Sequence, residues 1–244
     1  MRERFNRVLE DVINQHQELN ERIDGFFHKD LLEKLNRISS YVGGLPQRRK
    51  LSSRRDDPDW FQGINERIQT KEEALRARAQ SRMRNYLRDA RNQTRGDPAA
   101  LQVHARLLNA FGALQDMLRR DDYQGHLFDR KELESLCDEE GTFACQGRFD
   151  LEECSYGEGH VINPYDNRES LLLFQNWNLD HGIERSRTVV PGLVAAIVKG
   201  GRRNVNMEYF YALLFTTENL RLVHTVCHEK GHHRRGLDPD EIYL

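Results

Sequence analysis

A chain of 244 residues is long enough for one large domain, or for an ordinary domain and a small one. Charged residues make up 31% of it and mean hydropathy is −0.79; no apolar run approaches the roughly 18 residues of a helical membrane span, so a membrane partner is not expected. The formal net charge of −2 conceals an arginine-rich stretch over 48–91 and an acidic one over 129–153, so the total does not exclude a nucleic-acid partner. The start MRERFNRVLED lacks the apolar core of a signal peptide, and the four cysteines read as reduced thiols or metal ligands. Nucleus and cytoplasm are the expected compartments.

Residues 3–42 carry two helical patterns separated at Asp24-Gly25. Phe5, Leu9, Val12, His16, Leu19 and Ile23 recur at spacings of three and four, as do Phe27, Leu31, Leu35, Ile38 and Val42 in the second pattern. Two short helices cannot bury both stripes alone. Residues 1–45 are therefore expected to pair with a second copy as a helical dimerisation element, or else to pack on the rest of the chain.

GGLPQRRKLSSRRDDPDW (43–60) is rich in breakers and predicts a linker over 46–59. WFQGINERIQTKEEALRARAQSRMRNYLRDARNQ then predicts a long helix with Ile64, Ile68, Leu75 and Met83 on its apolar side. At about 100° per residue, Arg67, Lys71, Arg78 and Arg82 share a neighbouring face. Such a row is usually solvated, and the other reading is a face toward phosphates. Another amphipathic helix over 98–120 starts at Asp97-Pro98 and carries Leu101, Leu107, Leu108, Phe111, Leu114 and Leu118. From 123 onward the pieces are short and Gly-rich, MEYFYALLF predicts a helix, and LRLVHTV predicts a strand. The expected fold class is α+β, with a domain over 60–244 that is helical over 60–122 and Cys/His-rich over 123–244.

The chemistry collects in that second half. Cys145, Cys154, His160, His224 and Cys227 are five donors for the four places of a tetrahedral structural zinc. Unpaired buried thiols are the bland alternative for any one of them, and Cys137 lies outside the group. NWNLDH brings Asp180-His181 to the end of an apolar run, and NLRLVHTVCHEKGHH leads a strand-like segment into histidines. A histidine beside an aspartate is most often just hydrogen-bonded to it. Phosphodiester hydrolysis, however, needs a histidine to take a proton from water and a divalent ion, held by a carboxylate and an imidazole, to neutralise phosphate charge.

The two segments together resemble the HNH branch of the ββα-metal nucleases. RESLLLFQNWNLDHGIERSRTVVP, EYFYALLFTTENLRLVHTVCHEKGHH and INPYDNRES resemble, more specifically, the nuclease region of the caspase-activated DNase family, with DPDWFQGINERIQTKEEALR and LFDR also fitting. The likeness covers most of 57–244 and extends more loosely to the N-terminal helices, which would be the family's dimerisation element. It implies a Mg²⁺-dependent endonuclease for double-stranded DNA that leaves 5′-phosphate and 3′-hydroxyl ends. His181 would be the general base, Asp180 and His228 the Mg²⁺ ligands, and His233, Lys230 and Tyr165 further active-site residues. Lys71 would contact DNA, Asn219 would orient a loop, and Cys145, Cys154, His160 and Cys227 would hold zinc.

Three departures stand out. The Cys154–His160 gap is two residues longer than the family pattern, and EKGHH stands where the family has Lys-Lys-Thr-Thr-His, with His232 beside His233. The domain through which the family docks its inhibitor-chaperone is not in this sequence, so such a partner follows from the resemblance alone. A competing reading is a non-catalytic zinc-containing DNA-binding protein or a helical scaffold.

Overall fold

The computed structural model describes residues 25, 31–201, 203–228, 231 and 235–244. The chain divides into two compact units, Met1–Gln47 and Arg48–Leu244. In the first, the expected helix over 3–23 lies outside the described residues. The second pattern is seen from Leu31 as helix α1, Leu31–Lys50, whose Leu31, Leu32, Leu35, Ile38 and Tyr41 side chains are all about half exposed.

Helix α1 corrects the expected linker, because it runs through Gly43, Gly44 and Pro46 to Lys50. An internal proline costs a helix about 3 kcal/mol. Here the last turn is held by groups that a local reading of breakers does not see. The carbonyls of Arg48 and Arg49, in the last turn where the i+4 partners run out, accept from Lys71 Nζ at 3.0 Å and Arg130 Nη1 at 2.6 Å. Two cations on the negative end of a helix also suit its dipole. Arg49 adds a side-chain pair with Asp166 and another with Glu140.

The long helix predicted from 60 onward begins only at Lys71. Helix α2, Lys71–Thr94, starts at a capping box: Thr70 Oγ1 accepts from Glu73 N, and the Glu73 carboxylate accepts from Thr70 N and Gln69 N. This closure satisfies the free amides of the first turn and fixes where the helix starts. Ile64 and Ile68 consequently pack from a loop, and a short turn at Pro58–Phe61 buries Trp60 and Phe61. Ala74, Leu75, Ala79, Met83, Leu87 and Ala90 form the buried stripe of α2. The expected helix over 98–120 is two helices, α3 (Pro98–Gln102) and α4 (His104–Arg120), broken at Val103 with φ −119° and ψ 25°. Leu101 and Leu108 remain more than half exposed.

The second half supplies two small antiparallel ladders among the described residues. Strand β1 (Phe143–Ala144) pairs with β2 (Val161–Ile162), and helix α5 (Arg168–Leu173) leads to strand β3 (Trp177–His181). Helices α6 (Val190–Lys199) and α7 (Met207–Phe215) follow, and strand β4 (Leu220–His224) pairs with β3 in the register Trp177↔His224 to His181↔Leu220. The strand and helix predicted from LRLVHTV and MEYFYALLF are thus present. The core unites α2 with an aromatic cluster, Phe128, Phe143 and Phe174, whose centroids lie 4.7–5.5 Å apart. The fold is mixed helix and strand, as expected. After His228, the described residues Gly231 and 235–238 are irregular, and residues 229, 230 and 232–234 lie outside the described set.

A fully buried Lys71 ties these layers together. Its ammonium donates to Asp57 Oδ2 at 2.9 Å, Tyr165 O at 2.8 Å and Arg48 O, filling its three donor positions. Removing one partner of a buried pair leaves an uncompensated charge. Lys71→Met is expected to lower unfolding free energy by about 3–5 kcal/mol in urea titration, with Lys71→Met/Asp57→Leu recovering part of the loss.

Candidate active site and zinc centre

Strand β3 alternates as a strand with one face in the core must: Trp177, Leu179 and His181 are buried, while Asn178 and Asp180 are partly exposed. Neighbours in sequence, Asp180 and His181 therefore serve opposite faces. His181 Nε2 lies 3.1 Å from the carbonyl oxygen of Leu214, the penultimate residue of α7. A carbonyl only accepts, so Nε2 carries a hydrogen, and in the neutral form of the ring the lone pair is on Nδ1. On the other face, Asp180 Oδ1 stands 3.3 Å from His228 Nε2 and accepts from the backbone N–H of His181 at 2.9 Å.

The loop after His181 is fixed from β4's leading edge. Buried Asn219 accepts from Ile183 N at 2.6 Å and donates to Ile183 O at 3.0 Å and Leu213 O at 2.7 Å. Its own carbonyl accepts from Gly182 N at 2.8 Å. One amide side chain thus joins the end of β3, the end of α7 and the start of β4. Tyr86 of α2 completes the wall, its ring edge-on to His181 with centroids 5.1 Å apart. Burial pushes the Tyr86 phenol up to about 12, so it remains a hydrogen-bond donor.

Asp180 and His228 offer an oxygen and a nitrogen at a spacing close to the about 3 Å between adjacent donors on an octahedral ion with 2.0–2.1 Å bonds. Hard oxygen and borderline imidazole suit a small divalent cation, and these two residues can hold one.

A second cluster uses sulfur. Cys145, Cys154, His160 and Cys227 bring their donor atoms within 4.8 Å of one another. The Cys154 and Cys227 sulfurs are 3.7 Å apart, and His160 Nδ1 lies 3.6 and 3.4 Å from them. Zinc with bonds of about 2.3 Å to sulfur and 2.0–2.1 Å to nitrogen sets tetrahedral donors about 3.5–3.8 Å apart. The set fits zinc, and four protein donors make it a closed, structural site. Burial and the neighbouring sulfurs push the Cys227 thiol up to about 12, and a bound cation would favour its thiolate.

Local structure explains the convergence. Cys145 follows β1, His160 precedes β2 and Cys227 follows β4. The Cys145–Cys154 loop closes at Gly147, where φ is +77° and a Cβ would stand 2.5 Å from Glu153 O. Arg221 staples the same loop to β4 by donating to the carbonyls of Arg148, Leu151 and Glu152. His224 stays outside the donor set: its ring packs on His160 and its N–H meets Cys145 Sγ at 3.4 Å. Cys137 is apart, beside Ser135 Oγ.

A family model described as "DNA fragmentation factor 40 kDa" matches residues 7–244. The chain belongs to that family. It is similar to the DNA fragmentation factor subunit beta of Homo sapiens, 43% identical over 208 residues, covering 84% of this chain and 60% of the human protein. Its likeness to the Mus musculus subunit is 48% over 194 residues, covering 78% and 54% respectively. A solved structure of caspase-activated DNase matches with a TM-score of 0.75 and 46% identity, covering 80% of this chain and 79% of that one. The chain therefore spans 54–60% of the length of these curated relatives.

Several expected site residues take structural places instead. Lys71 is buried among acceptors and presents nothing to a phosphate. Tyr165 is fully buried, its hydroxyl donating to Phe128 O at 2.9 Å and accepting from Arg130 N at 3.3 Å, which makes it a core residue. Arg78 donates to Leu171 O, and Arg82 lies over the Phe128 and Phe174 rings; burial lowers the pKa of both guanidinium groups. Arg67 is exposed but sits in the loop before α2, so the four do not form one face. Lys230 and His233 lie outside the described residues. Sequence reasoning missed the Leu214 carbonyl, Tyr86 and Arg221.

Purified protein is expected to carry one zinc ion per chain by elemental mass spectrometry. Cys227→Ser should lose most of it and unfold at lower temperature, whereas His224→Ala should keep it. Retention by Cys227→Ser, or loss by His224→Ala alone, would reassign the ligands.

Proposed function

We propose that this chain is a Mg²⁺-dependent endonuclease of double-stranded DNA with little sequence selectivity, of the kind that fragments DNA in apoptosis. The observation that carries the reading is His181: its Nε2–H is fixed on Leu214 O, which makes Nδ1 the basic nitrogen of the neutral ring, and the residue before it, Asp180, pairs with His228. Membership of the DNA fragmentation factor 40 kDa family supports the same conclusion.

His181 Nδ1 accepts a proton from water as the water oxygen attacks phosphorus. The P–O3′ bond breaks on the opposite side, and the departing oxygen takes a proton from solvent water, leaving a 5′-phosphate and a 3′-hydroxyl. Asp180 and His228 would hold Mg²⁺, which would supply charge stabilisation for the phosphate and the departing oxygen. The second bond of His181, to Leu214 O, stabilises the imidazolium formed when the proton arrives. Roles for Lys230 in stabilising phosphate charge and for His233 as a further active-site histidine follow from the family resemblance. Binding through phosphates makes affinity strongly salt-dependent.

The domain reading keeps residues 1–45 as a dimerisation element and 60–244 as the nuclease. The half-exposed leucines of α1 support pairing with a second copy, because a stripe of that kind gains stability when covered. Two copies would set two sites on one duplex and turn nicks into double-strand cuts.

Plasmid digestion tests the activity. With Mg²⁺ the parent should nick and then linearise plasmid, and His181→Asn should cut about 10²–10⁴-fold more slowly with zinc content and unfolding unchanged. Parental cutting by His181→Asn, or no cutting by the parent, would overturn the mechanism. Light scattering should give twice the chain mass of 28.7 kDa; a monomer at micromolar concentration would rule out the paired arrangement.

A further inference from the structure

The wall around the His181 imidazole is built by residues that the nuclease motif does not contain. Tyr86 of α2 meets the imidazole at an interplanar angle of 62°, and its hydroxyl donates to Leu179 O at 2.6 Å, two residues earlier on the same strand. The guanidinium of Arg185 lies over the Tyr86 ring, 5.0 Å from its centroid, and its Nη2 is 3.8 Å from Asp89 Oδ2. Gln93 donates to Ser186 O. Tyr86, Asp89 and Gln93 stand at i, i+3 and i+7 on α2 and so share one face. That face grips β3 on one side of the His181 loop and Arg185-Ser186 on the other.

We infer that Tyr86 is a positioning residue for His181: with Asp89 and Gln93 it clamps β3 and the segment beyond the loop, so that the imidazole keeps one orientation. The inference rests on the nuclease reading of His181. Its physical ground is the number of constraints on the ring. The bond to Leu214 O fixes the ring at Nε2, and χ2 of His181 is a broad two-fold torsion. The Tyr86 ring confines that torsion from a second direction, and its hydroxyl prevents Tyr86 from moving independently of the strand. A base held this way keeps Nδ1 as its acceptor through each turnover.

The test uses the full chain with Mg²⁺ and plasmid DNA, kcat and KM being measured separately, and His181→Asn run alongside to judge the nuclease reading itself. Tyr86→Leu should lower kcat about ten- to a hundredfold and leave KM for DNA within about twofold. Tyr86→Phe retains the ring and should keep kcat within about threefold of the parent. Long-range ¹⁵N spectra of His181 should show the Nε2–H tautomer in the parent and Tyr86→Phe, and mixed tautomers in Tyr86→Leu. If Tyr86→Leu does not fold, Tyr86→Met takes its place. Parental kcat in Tyr86→Leu or Tyr86→Met beside an inactive His181→Asn would sink the positioning role alone. A rise in KM at constant kcat would make Tyr86 a DNA contact and overturn it too, as would an Nδ1–H tautomer in the parent. Equal cutting by the parent and His181→Asn would indict the nuclease reading instead, and the spectra would still judge the clamp.

Discussion

The pairing of β3 with β4 is the constraint on which both centres depend. Its register sets Asp180 across from Arg221 and His181 across from Leu220. From the start of β4, Asn219 reaches the loop after His181; from its middle, Arg221 holds the Cys145–Cys154 loop; beyond its end, the chain turns and delivers Cys227 and His228. These last two are consecutive residues, yet one belongs to the sulfur cluster and the other meets Asp180. A zinc ion on Cys227 would therefore hold the very backbone that aims His228. A structural metal there would brace the residue proposed to bind a second, catalytic one.

Helix α2 supplies the other half of the support. Its buried stripe packs into the core, while Tyr86, Asp89 and Gln93 hold the ends of the His181 loop. At its N-terminus, Lys71 draws together the end of α1, the Asp57 loop and the Pro164-Tyr165 turn. Burial makes this cation expensive, and three acceptors around it make it tolerable.

The legible parts of the site were those in which chemistry and spacing coincide. Asp180-His181 at a strand end, and a second strand running into Cys227-His228, could be placed together because thiol and imidazole donors are few and strand period is simple. The donors Cys145, Cys154 and His160 were equally visible, although the choice between His160 and His224 needed coordinates. What failed was the reading of the arginine-lysine row. A helical wheel gives direction about an axis, but it says nothing of what covers that side, where Lys71 is buried and Arg78 and Arg82 are partly covered. The helix start was mistaken for a related reason: Thr70 and Glu73 form a capping box inside a run that looks helical throughout. The Leu214 carbonyl is a backbone atom, and Tyr86 acts across 95 residues of sequence separation between itself and His181. Neither leaves a local mark.

The two kinds of loop around these centres differ in how much length they can gain or lose. Between Cys154 and His160 the chain makes a short turn at Gly157–Gly159, and the donors on either side of it still converge. Such a segment can absorb inserted residues as long as its ends still meet. Strand β3 has no such latitude. One residue added or lost there would rotate Asp180 into the core and His181 toward His228, exchanging the proposed base with the proposed metal ligand. Length variation among related sequences should therefore accumulate between the zinc donors and stop at Trp177.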